Sequence, residues 1–314
     1  MHENHTSPGT PAQSDETAPD LFVVSAATSD TGSAVVQALA NSGSAVVAVG
    51  RSRERLQKYA GLGARIHVSP LDDVNGLAAA LEGASGAFLM MAPGLIPDSL
   101  DFPAYQKAVT AAQAEAVEAA YRRGTLRRVV TLSGWAANYP GARGPVRALK
   151  PFEDAIDATG VPAVHLRAGS FMENLRADIA SVKATGVTGG LVAPDLPLPM
   201  IATVDIGRVA AEFLRGERAF TPGPVEVVGP AFRTLDEATR LIGAAVGAPD
   251  ARYVQQSPEA VRAALIDAGF STHMADETVA MTSDVAEGRI RVLGTGRTIT
   301  TSTTLEEFLA SATA

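Results

Sequence analysis

From Leu21 onward, short apolar runs alternate with longer helical stretches, and this alternation limits the folds that the chain can adopt. The apolar runs are LFVVSA (21–26), AVVAVG (45–50), ARIHV (64–68), GAFLMM (86–91) and RRVVTLS (127–133), separated by stretches such as 33–43 and the Ala-rich 104–123. Such alternation predicts βαβ units and a parallel sheet. A helix at about 145–159 and a strand at 162–167 bring the sheet to at least six strands. Because the runs are almost continuously apolar, we expect a doubly wound α/β sheet with helices on both faces.

The alternation ends near residue 170, and the remainder of the chain has a different character. Prolines become dense after that point, which indicates a smaller, irregular α/β lobe over 171–314, interleaved with a first domain over 21–170. Two capping boxes place helices in this lobe: Thr234 with Glu237, and Thr304 with Glu307. A chain of 314 residues is long enough to bury a core for both parts.

Residues 1–20 form a polar N-terminal tail. The segment contains no Leu, Ile, Val or Phe, so nothing in it offsets the entropy lost on ordering. We expect the tail to be disordered, and we expect His2 and His5 to be solvated residues rather than metal ligands.

Composition excludes several classes of function. The chain has no cysteine, which rules out disulfides, thiolate nucleophiles, cysteine-bound zinc and iron–sulfur clusters. With 26 Lys and Arg against 34 Asp and Glu, the net charge is −8, so direct binding to nucleic-acid phosphates is not expected. No apolar run approaches the ~18 residues of a membrane span, and the N-terminus lacks the apolar core of a signal peptide. We therefore expect a cytoplasmic protein with no membrane partner.

The turn after the first strand reads VSAATSDTG from Val24 to Gly32. It resembles the V-T-G-A-T-G-x-x-G turn of extended and atypical short-chain dehydrogenases, which have a Rossmann fold. Ala26 and Ser29 stand in the positions of the first two glycines, and Gly32 is the third. Those glycines let the backbone approach a dinucleotide pyrophosphate. The resemblance implies that the cofactor contacts Ala26, Thr28, Ser29, Asp30, Thr31 and Gly32, although a turn of small residues also serves any doubly wound fold.

The end of the second strand carries arginines instead of an acidic residue. Gly50 is followed by Arg51, Ser52 and, after two further residues, Arg55. An acidic residue there would accept from a ribose 2′-OH, whereas an arginine suits the 2′-phosphate of NADP. The segment therefore favours NADP over NAD, and the alternative is a solvated basic start to a helix.

Further segments carry a more specific resemblance. These are PLDD (70–73) with LAAALEGASGAFLMMAPG (77–94), ATGVPAVHLRAGSFMENL (158–175), LPMIATVDIGRVAAEFL (198–214) and LEEFL (305–309). Their order and spacing resemble the NmrA-like family of atypical short-chain dehydrogenases over residues 21–310. The resemblance implies an NADP(H)-binding oxidoreductase, with Asp72 beside the adenine and Met91, Ala92 and Pro93 along the cofactor. From the residues alone, Asp72 and Asp73 are a helix N-cap.

The catalytic residues of such enzymes are only partly present. Short-chain dehydrogenases use a Tyr-x-x-x-Lys pair, and Lys150 falls where the lysine lies, but four residues earlier stands Val146. The usual acid is absent. Lys150 as a ribose ligand and Ser133 as a hydrogen-bonding partner for a carbonyl remain the candidates. The alternatives are a solvated lysine before Pro151 and a simple turn serine.

We expect the substrate pocket at the carboxyl ends of the strands. Trp135, Tyr139, Phe171, Met172 and Asn174 are the candidate lining residues, giving an apolar wall for an aromatic, enone or quinone-type molecule. Ordinary packing is the alternative for Phe171 and Met172.

Four ionisable residues elsewhere are expected to be structural. His165 lies in a buried strand, which indicates a satisfied core histidine. The acidic residues Glu153, Asp154 and Asp157 are interpreted as a helix start that suits the helix dipole.

Three functions remain open on these grounds: an NADP(H)-dependent reductase, a non-catalytic NADP(H)-sensing regulator, and a cofactor-free enzyme on a degenerate dinucleotide fold. The expected partner is a small-molecule substrate. A homodimer or a regulatory protein partner is compatible with the sequence.

We predict that deleting residues 1–19 leaves the melting temperature unchanged, because the segment has no apolar side chain larger than Ala, Pro and Met1 to bury. Thermal unfolding of the full chain and the truncated chain checks this. A fall of several degrees would show that the tail docks on the folded part.

Overall fold

The computed structural model describes residues 20–91, 96–292 and 296–313, and a parallel sheet of eight strands lies at its centre. Two pairs of short strands, β7 with β9 and β8 with β11, lie outside this sheet. The strands are β1 (Leu21–Val24), β2 (Ala45–Gly50), β3 (Arg65–Val68), β4 (Gly86–Met90), β5 (Arg128–Gly134), β6 (Ala163–Ala168), β7 (Ser170–Phe171), β8 (Val187–Gly190), β9 (Met200–Ile201), β10 (Gly223–Val228), β11 (Arg252–Gln255) and β12 (Thr298–Thr300).

Eleven α-helices are present in the described residues. They are α1 (Asp30–Asn41), α2 (Arg53–Ala60), α3 (Val74–Ala80), α4 (Phe102–Arg122), α5 (Leu149–Asp157), α6 (Arg176–Thr185), α7 (Thr203–Arg215), α8 (Leu235–Val246), α9 (Pro258–Asp267), α10 (Thr272–Ala286) and α11 (Leu305–Thr313). None of them is both long and apolar enough to cross a membrane. The disordered tail expected over residues 1–20 lies, apart from Asp20, outside the described residues.

The strand order of the main sheet is β12-β10-β6-β5-β4-β1-β2-β3, with parallel pairing throughout. Strand β1 pairs with β2 on one side and with β4 on the other, through Phe22↔Val46 and Phe22↔Gly86. The order reverses at β1, which opens a crevice at the carboxyl ends of β1 and β4. The arrangement is doubly wound and Rossmann-like, which confirms the fold class predicted from the alternation.

The C-terminal part of the chain completes the main sheet as well as forming the smaller lobe. Strands β10 and β12 extend the sheet beyond β6, and α7 packs against α1. This packing is close: a Cβ at Gly207 would lie 2.5 Å from the Cβ of Ala34. Residues on both sides of position 170 therefore build one central layer.

The smaller lobe has its own apolar core. Met172, Leu175, Val182, Ile242 and Leu309 are among its buried members. Both predicted capping boxes are confirmed, at the starts of α8 and α11.

Ion pairs fasten α10 to the 3₁₀ helix at Gly144–Ala148. Asp284 has no exposed side-chain surface and pairs with Arg143 and Arg289, each with a shortest N–O distance of 2.7 Å. Arg147 pairs at 2.5 Å with Glu277, which lies seven residues before Asp284 in α10. These contacts set the position of α10 over the sheet.

We predict that Asp284→Asn lowers the stability of the folded protein by about 1–3 kcal/mol at neutral pH. Burial opposes ionisation of Asp284, but hydrogen bonds from Arg143 and Arg289 outweigh it and lower the carboxyl pKa. A lowered pKa gives stabilisation that is complete above the unfolded value of about 4 and is lost as the pH falls through the folded value.

The difference in unfolding free energy between wild type and Asp284→Asn should therefore shrink from about pH 7 to about pH 3.5. Urea unfolding at several pH values measures it, and Asp250→Asn, at an exposed carboxyl, is the control. A difference that stays constant with pH would contradict the proposed charge pairing.

Candidate functional site

A cavity of about 590 Å³ lies at the carboxyl ends of β4, β5 and β6. The first βα turn, the end of β5, the residues after β6 and helix α10 all contribute to its wall. Its lining residues are 29–31, 90–91, 132–136, 145–146, 149, 168–171, 174, 192, 198, 281–282, 285 and 290. Most of these side chains are apolar.

The cavity brings together part of the predicted site. The predicted residues in its wall are Ser29, Asp30, Thr31, Met91, Ser133, Trp135, Phe171 and Asn174. The predicted residues outside its wall are Ala26, Thr28, Gly32, Arg51, Ser52, Arg55, Asp72, Tyr139, Lys150 and Met172. Ala92 and Pro93 lie outside the described residues. The first turn and the substrate wall therefore share one cavity, while the arginines and Lys150 lie elsewhere.

The first turn is tight and carries strain at one residue. Ala26 has a φ of 48°, a left-handed conformation that is costly for a residue with a Cβ. Gly32 faces it, and a Cβ there would lie 2.3 Å from the Ala26 carbonyl oxygen. Ser29 caps α1: its Oγ accepts from the Gly32 N–H at 3.0 Å. Gly32 thus fulfils the close-packing role expected of the third glycine. Ala26, at the position of the first glycine, has a backbone conformation that glycine adopts more easily than alanine.

Two side chains of α2 hold this turn from the side. The Tyr59 hydroxyl donates to the carbonyl of Ala27 at 2.5 Å, and the Arg55 guanidinium donates to the carbonyl of Thr28 at 3.1 Å. Ser52 is the N-cap of α2. Arg55 therefore positions the turn in this structure, and Ser52 caps the helix that carries Arg55. Tyr59 was missed by sequence analysis, since its position beside Leu56 indicates only an apolar helix face.

Arg51 lies exposed at the carboxyl end of β2 and makes no ion pair within the described parts of the chain. Asp72 is exposed after β3, while Asp73 is the N-cap of α3 and accepts from the Gly76 N–H at 3.0 Å. Both Arg51 and Asp72 act on Tyr105 of α4: burial raises the pKa of this phenol, Arg51 lowers it, and Asp72 raises it. Tyr105 therefore lies within electrostatic range of both Arg51 and Asp72.

An ion pair crosses the cavity mouth at the start of α1. Asp30 accepts from Arg176 of α6 at 2.7 Å, and both side chains are about half exposed. The hydrogen bond that Arg176 donates to Asp30 raises the pKa of Arg176, so this guanidinium stays charged. An anionic group at a helix N-terminus opposes a phosphate there, and Arg176 offsets that charge. Sequence analysis did not identify Arg176.

Ser133 is joined to a buried ion pair. Its hydroxyl donates to Oε1 of Glu153 at 2.6 Å, and Arg167 binds both oxygens of that carboxylate, at 2.8 Å and 2.5 Å. Glu153 is only 2% exposed. The interpretation of Glu153 as a simple acidic helix start was therefore wrong, because its side of α5 faces β5 and β6. Asp154, by contrast, is exposed.

Lys150 pairs with Asp154 on the outer face of α5, and its side chain is 47% exposed. Its neighbour Leu149 lines the cavity instead, as does Val146 at the position of the usual tyrosine. The structure therefore does not bring Lys150 to the cavity wall, and an apolar side chain stands where a proton donor would be.

The remaining candidates are placed as follows. Tyr139 is half-buried, and Met172 is 1% exposed in the core of the smaller lobe, which is the packing alternative. His165 is a satisfied core histidine as predicted: Nδ1 shares a hydrogen bond with Thr131 and Nε2 with Asp157.

Solved structures with the same fold are numerous, and three indicate its range. The NADPH-dependent quinone oxidoreductase QOR2 from Escherichia coli, in complex with NADPH, is 20% identical, with a TM-score of 0.74 over 93% of this chain and 99% of that chain. The Citrobacter sp. triphenylmethane reductase complexed with NADP(H) is 17% identical, with a TM-score of 0.75 over 93% and 99%. An isoflavone reductase is 18% identical, with a TM-score of 0.66 over 94% and 99%.

Sequence comparison gives the family. A search of the curated proteins finds no match. The model of the NmrA-like family matches residues 19–309, which is nearly the whole chain. The chain therefore belongs to the NmrA-like family.

Proposed function

We propose that this chain is an NADP(H)-dependent oxidoreductase that acts on a small apolar substrate of the aromatic, enone or quinone type. The observation that carries the proposal is the shared cavity: the first βα turn and the apolar wall around Trp135 and Phe171 line the same space. In a doubly wound sheet this crevice is where a dinucleotide and its substrate meet.

The residues around the first turn fit a dinucleotide. A Cβ at Gly32 would fill the close approach between α1 and the turn, so the backbone here is built for tight contact. Gly32 lies in the first turn of α1, whose N-terminus favours a phosphate. The charge of Asp30, which would oppose it, is already paired with Arg176. The pyrophosphate would thus lie against residues 29–32.

Arg51 would hold the 2′-phosphate that distinguishes NADP from NAD. Its guanidinium has no ion pair among the described residues, and no acidic side chain stands at the end of β2. Asp72 and Tyr105 at the same edge would lie beside the adenosine. The QOR2 and triphenylmethane reductase structures are complexes with NADPH and NADP(H), which supports this choice of cofactor.

The nicotinamide, when bound, supplies hydride chemistry, and the chain supplies binding and orientation. Trp135 and Phe171 give a flat ring an apolar surface, and Leu149 and Val146 exclude water from the same wall. Asp30 is the one ionisable side chain among the described lining residues, so no side-chain acid stands beside the apolar wall. Substrates that take their proton from water after accepting hydride, such as quinones, suit this wall.

A non-catalytic NADP(H)-sensing protein is the second candidate. It is favoured by Val146 at the tyrosine position and by the pairing of Lys150 with Asp154 outside the cavity. Such a protein would bind NADPH and show no turnover.

Titration of NADPH and NADH by calorimetry, followed by a screen of NADPH oxidation with quinones, enones and imines, tests the proposal. We expect tight NADPH binding and oxidation with at least one of these classes. Binding without oxidation in any class would favour the sensing protein. A wild type that binds neither nucleotide would refute the cofactor assignment and favour a cofactor-free enzyme.

We predict that Arg51→Glu abolishes or reverses the preference for NADPH over NADH. A charge-assisted contact to the 2′-phosphate contributes roughly 1.5–3 kcal/mol, which is about 10- to 100-fold in affinity. Calorimetric Kd values for both nucleotides measure the change. Arg53→Glu is the control, since it makes the same charge change on an exposed residue of α2. Equal affinities of the wild type for both nucleotides would contradict the prediction.

We predict that Ala26→Gly stabilises the protein by about 0.5–1 kcal/mol. Relief of the left-handed strain is worth roughly 1–2 kcal/mol, and the added flexibility of glycine in the unfolded chain takes back about 0.5–1 kcal/mol. The variant should bind NADPH at least as tightly, because the Cβ beside the phosphate site is gone. Ala27→Gly, at the next buried alanine, should instead destabilise, since Ala27 is not among the residues with positive φ. Thermal unfolding of both variants decides; a loss of stability in Ala26→Gly would contradict the strain argument.

A further inference from the structure

Ser133 lines the cavity, and the single proton of its hydroxyl is already engaged. A hydroxyl has one proton to donate and two lone pairs that accept. The proton of Ser133 goes to Oε1 of Glu153 at 2.6 Å, the short distance of a bond to a carboxylate. A ligand that reaches this hydroxyl therefore meets its lone pairs and not its proton.

Glu153 is held in place by Arg167, which favours its hydrogen bond with Ser133. Arg167 donates to both carboxylate oxygens from β6, and the hydrogen bond with Glu153 raises the pKa of Arg167, so the guanidinium stays charged. Both side chains are buried, and Asn138 accepts a further N–H of Arg167. A carboxylate can only accept hydrogen bonds. Rotating the Ser133 proton toward a ligand would break a charge-assisted bond in a buried network.

Two further hydroxyls among the lining residues also donate their protons to groups of the protein. Thr282 of α10 donates to the Thr278 carbonyl at 2.9 Å, which is one helical turn away. Ser29 at the first turn donates to the sulfur of Met90 at 3.5 Å. The protons of both of these hydroxyls are therefore also engaged within the protein.

We propose that Ser133 is a specificity-determining residue that selects a ligand with a hydrogen-bond donor, a hydroxyl or N–H group on an apolar ring, over one with a carbonyl at that place. A donor adds a hydrogen bond to Ser133 and leaves the Glu153 contact intact. A carbonyl would have to take the Ser133 proton from Glu153. This reverses the expectation that Ser133 donates to a carbonyl, and Glu153 acts as a positioning residue.

The inference rests on the proposed function, since it describes the substrate part of the same cavity, but its test needs no cofactor. Calorimetry measures the binding of three matched naphthalenes to the full chain: 1-naphthol, 1-methoxynaphthalene and 1-naphthaldehyde. We expect the wild type to bind 1-naphthol about 3- to 10-fold more tightly than the other two. Ser133→Ala should abolish that preference by weakening 1-naphthol alone. Ser283→Ala, on α10 but outside the cavity wall, is the matched control and should keep it.

Several outcomes would overturn the proposal. These are a wild type that prefers the aldehyde or the methyl ether, a wild type that binds none of the three, and a preference that survives in Ser133→Ala. A preference lost in Thr282→Val and kept in Ser133→Ala would assign the acceptor role to Thr282 instead. If Ser133→Ala fails to fold by circular dichroism, a wild type without a preference for 1-naphthol still overturns the proposal, and a preference that is kept in Thr282→Val supports it. NADPH titration of the same wild-type sample tests the proposed function separately, because loss of nucleotide binding leaves the naphthalene preference measurable.

Discussion

The pairing of β1 between β2 and β4 is the constraint on which the rest of this structure depends. Parallel strands need crossover connections, so each strand of the sheet brings a helix to one face or the other. Where the strand order reverses, the two connections diverge and leave a crevice. The turn after β1 lies at that crevice, and its carbonyls are fixed by Tyr59 and Arg55 of the next helix. The cavity, the first turn in its wall and the apolar surface beside that turn all follow from this one reversal.

The second half of the chain serves the crevice in two ways. Helix α7 packs so closely on α1 that Gly207 has no room for a side chain, and this fixes the helix that starts at the first turn. Helix α10 supplies part of the cavity wall, and the buried carboxylate of Asp284 ties it to the segment before α5. The wall is therefore assembled from residues more than a hundred positions apart, held by an ion pair and a close helix contact.

The polar chemistry of the wall follows from burial. Glu153 and Arg167 form their ion pair in the protein interior, where an unpaired charge would be costly. Once paired, they determine which way the Ser133 hydroxyl points. At the cavity mouth, the exposed pair of Asp30 and Arg176 sets the charge near the first turn. The buried ion pair thus orients Ser133, and the exposed ion pair neutralises Asp30, and both of these residues line the cavity.

The sequence by itself determined the order of strands and helices, the doubly wound class, the capping boxes and the role of Gly32. These features arise from local periodicity and from residues whose backbone demands are intrinsic. It also indicated Ser133, Trp135 and Phe171, because residues that follow parallel strands meet at one edge of a sheet. Only the tertiary structure decided the partner of each polar group. From the sequence, Glu153 is interpreted as part of an acidic helix start, whereas in the structure it pairs with Arg167 of β6. Lys150 is interpreted as a ribose ligand, whereas in the structure it pairs with Asp154. Hydrogen bonds and ion pairs between distant segments depend on which helix faces meet, and periodicity along the chain does not contain that information.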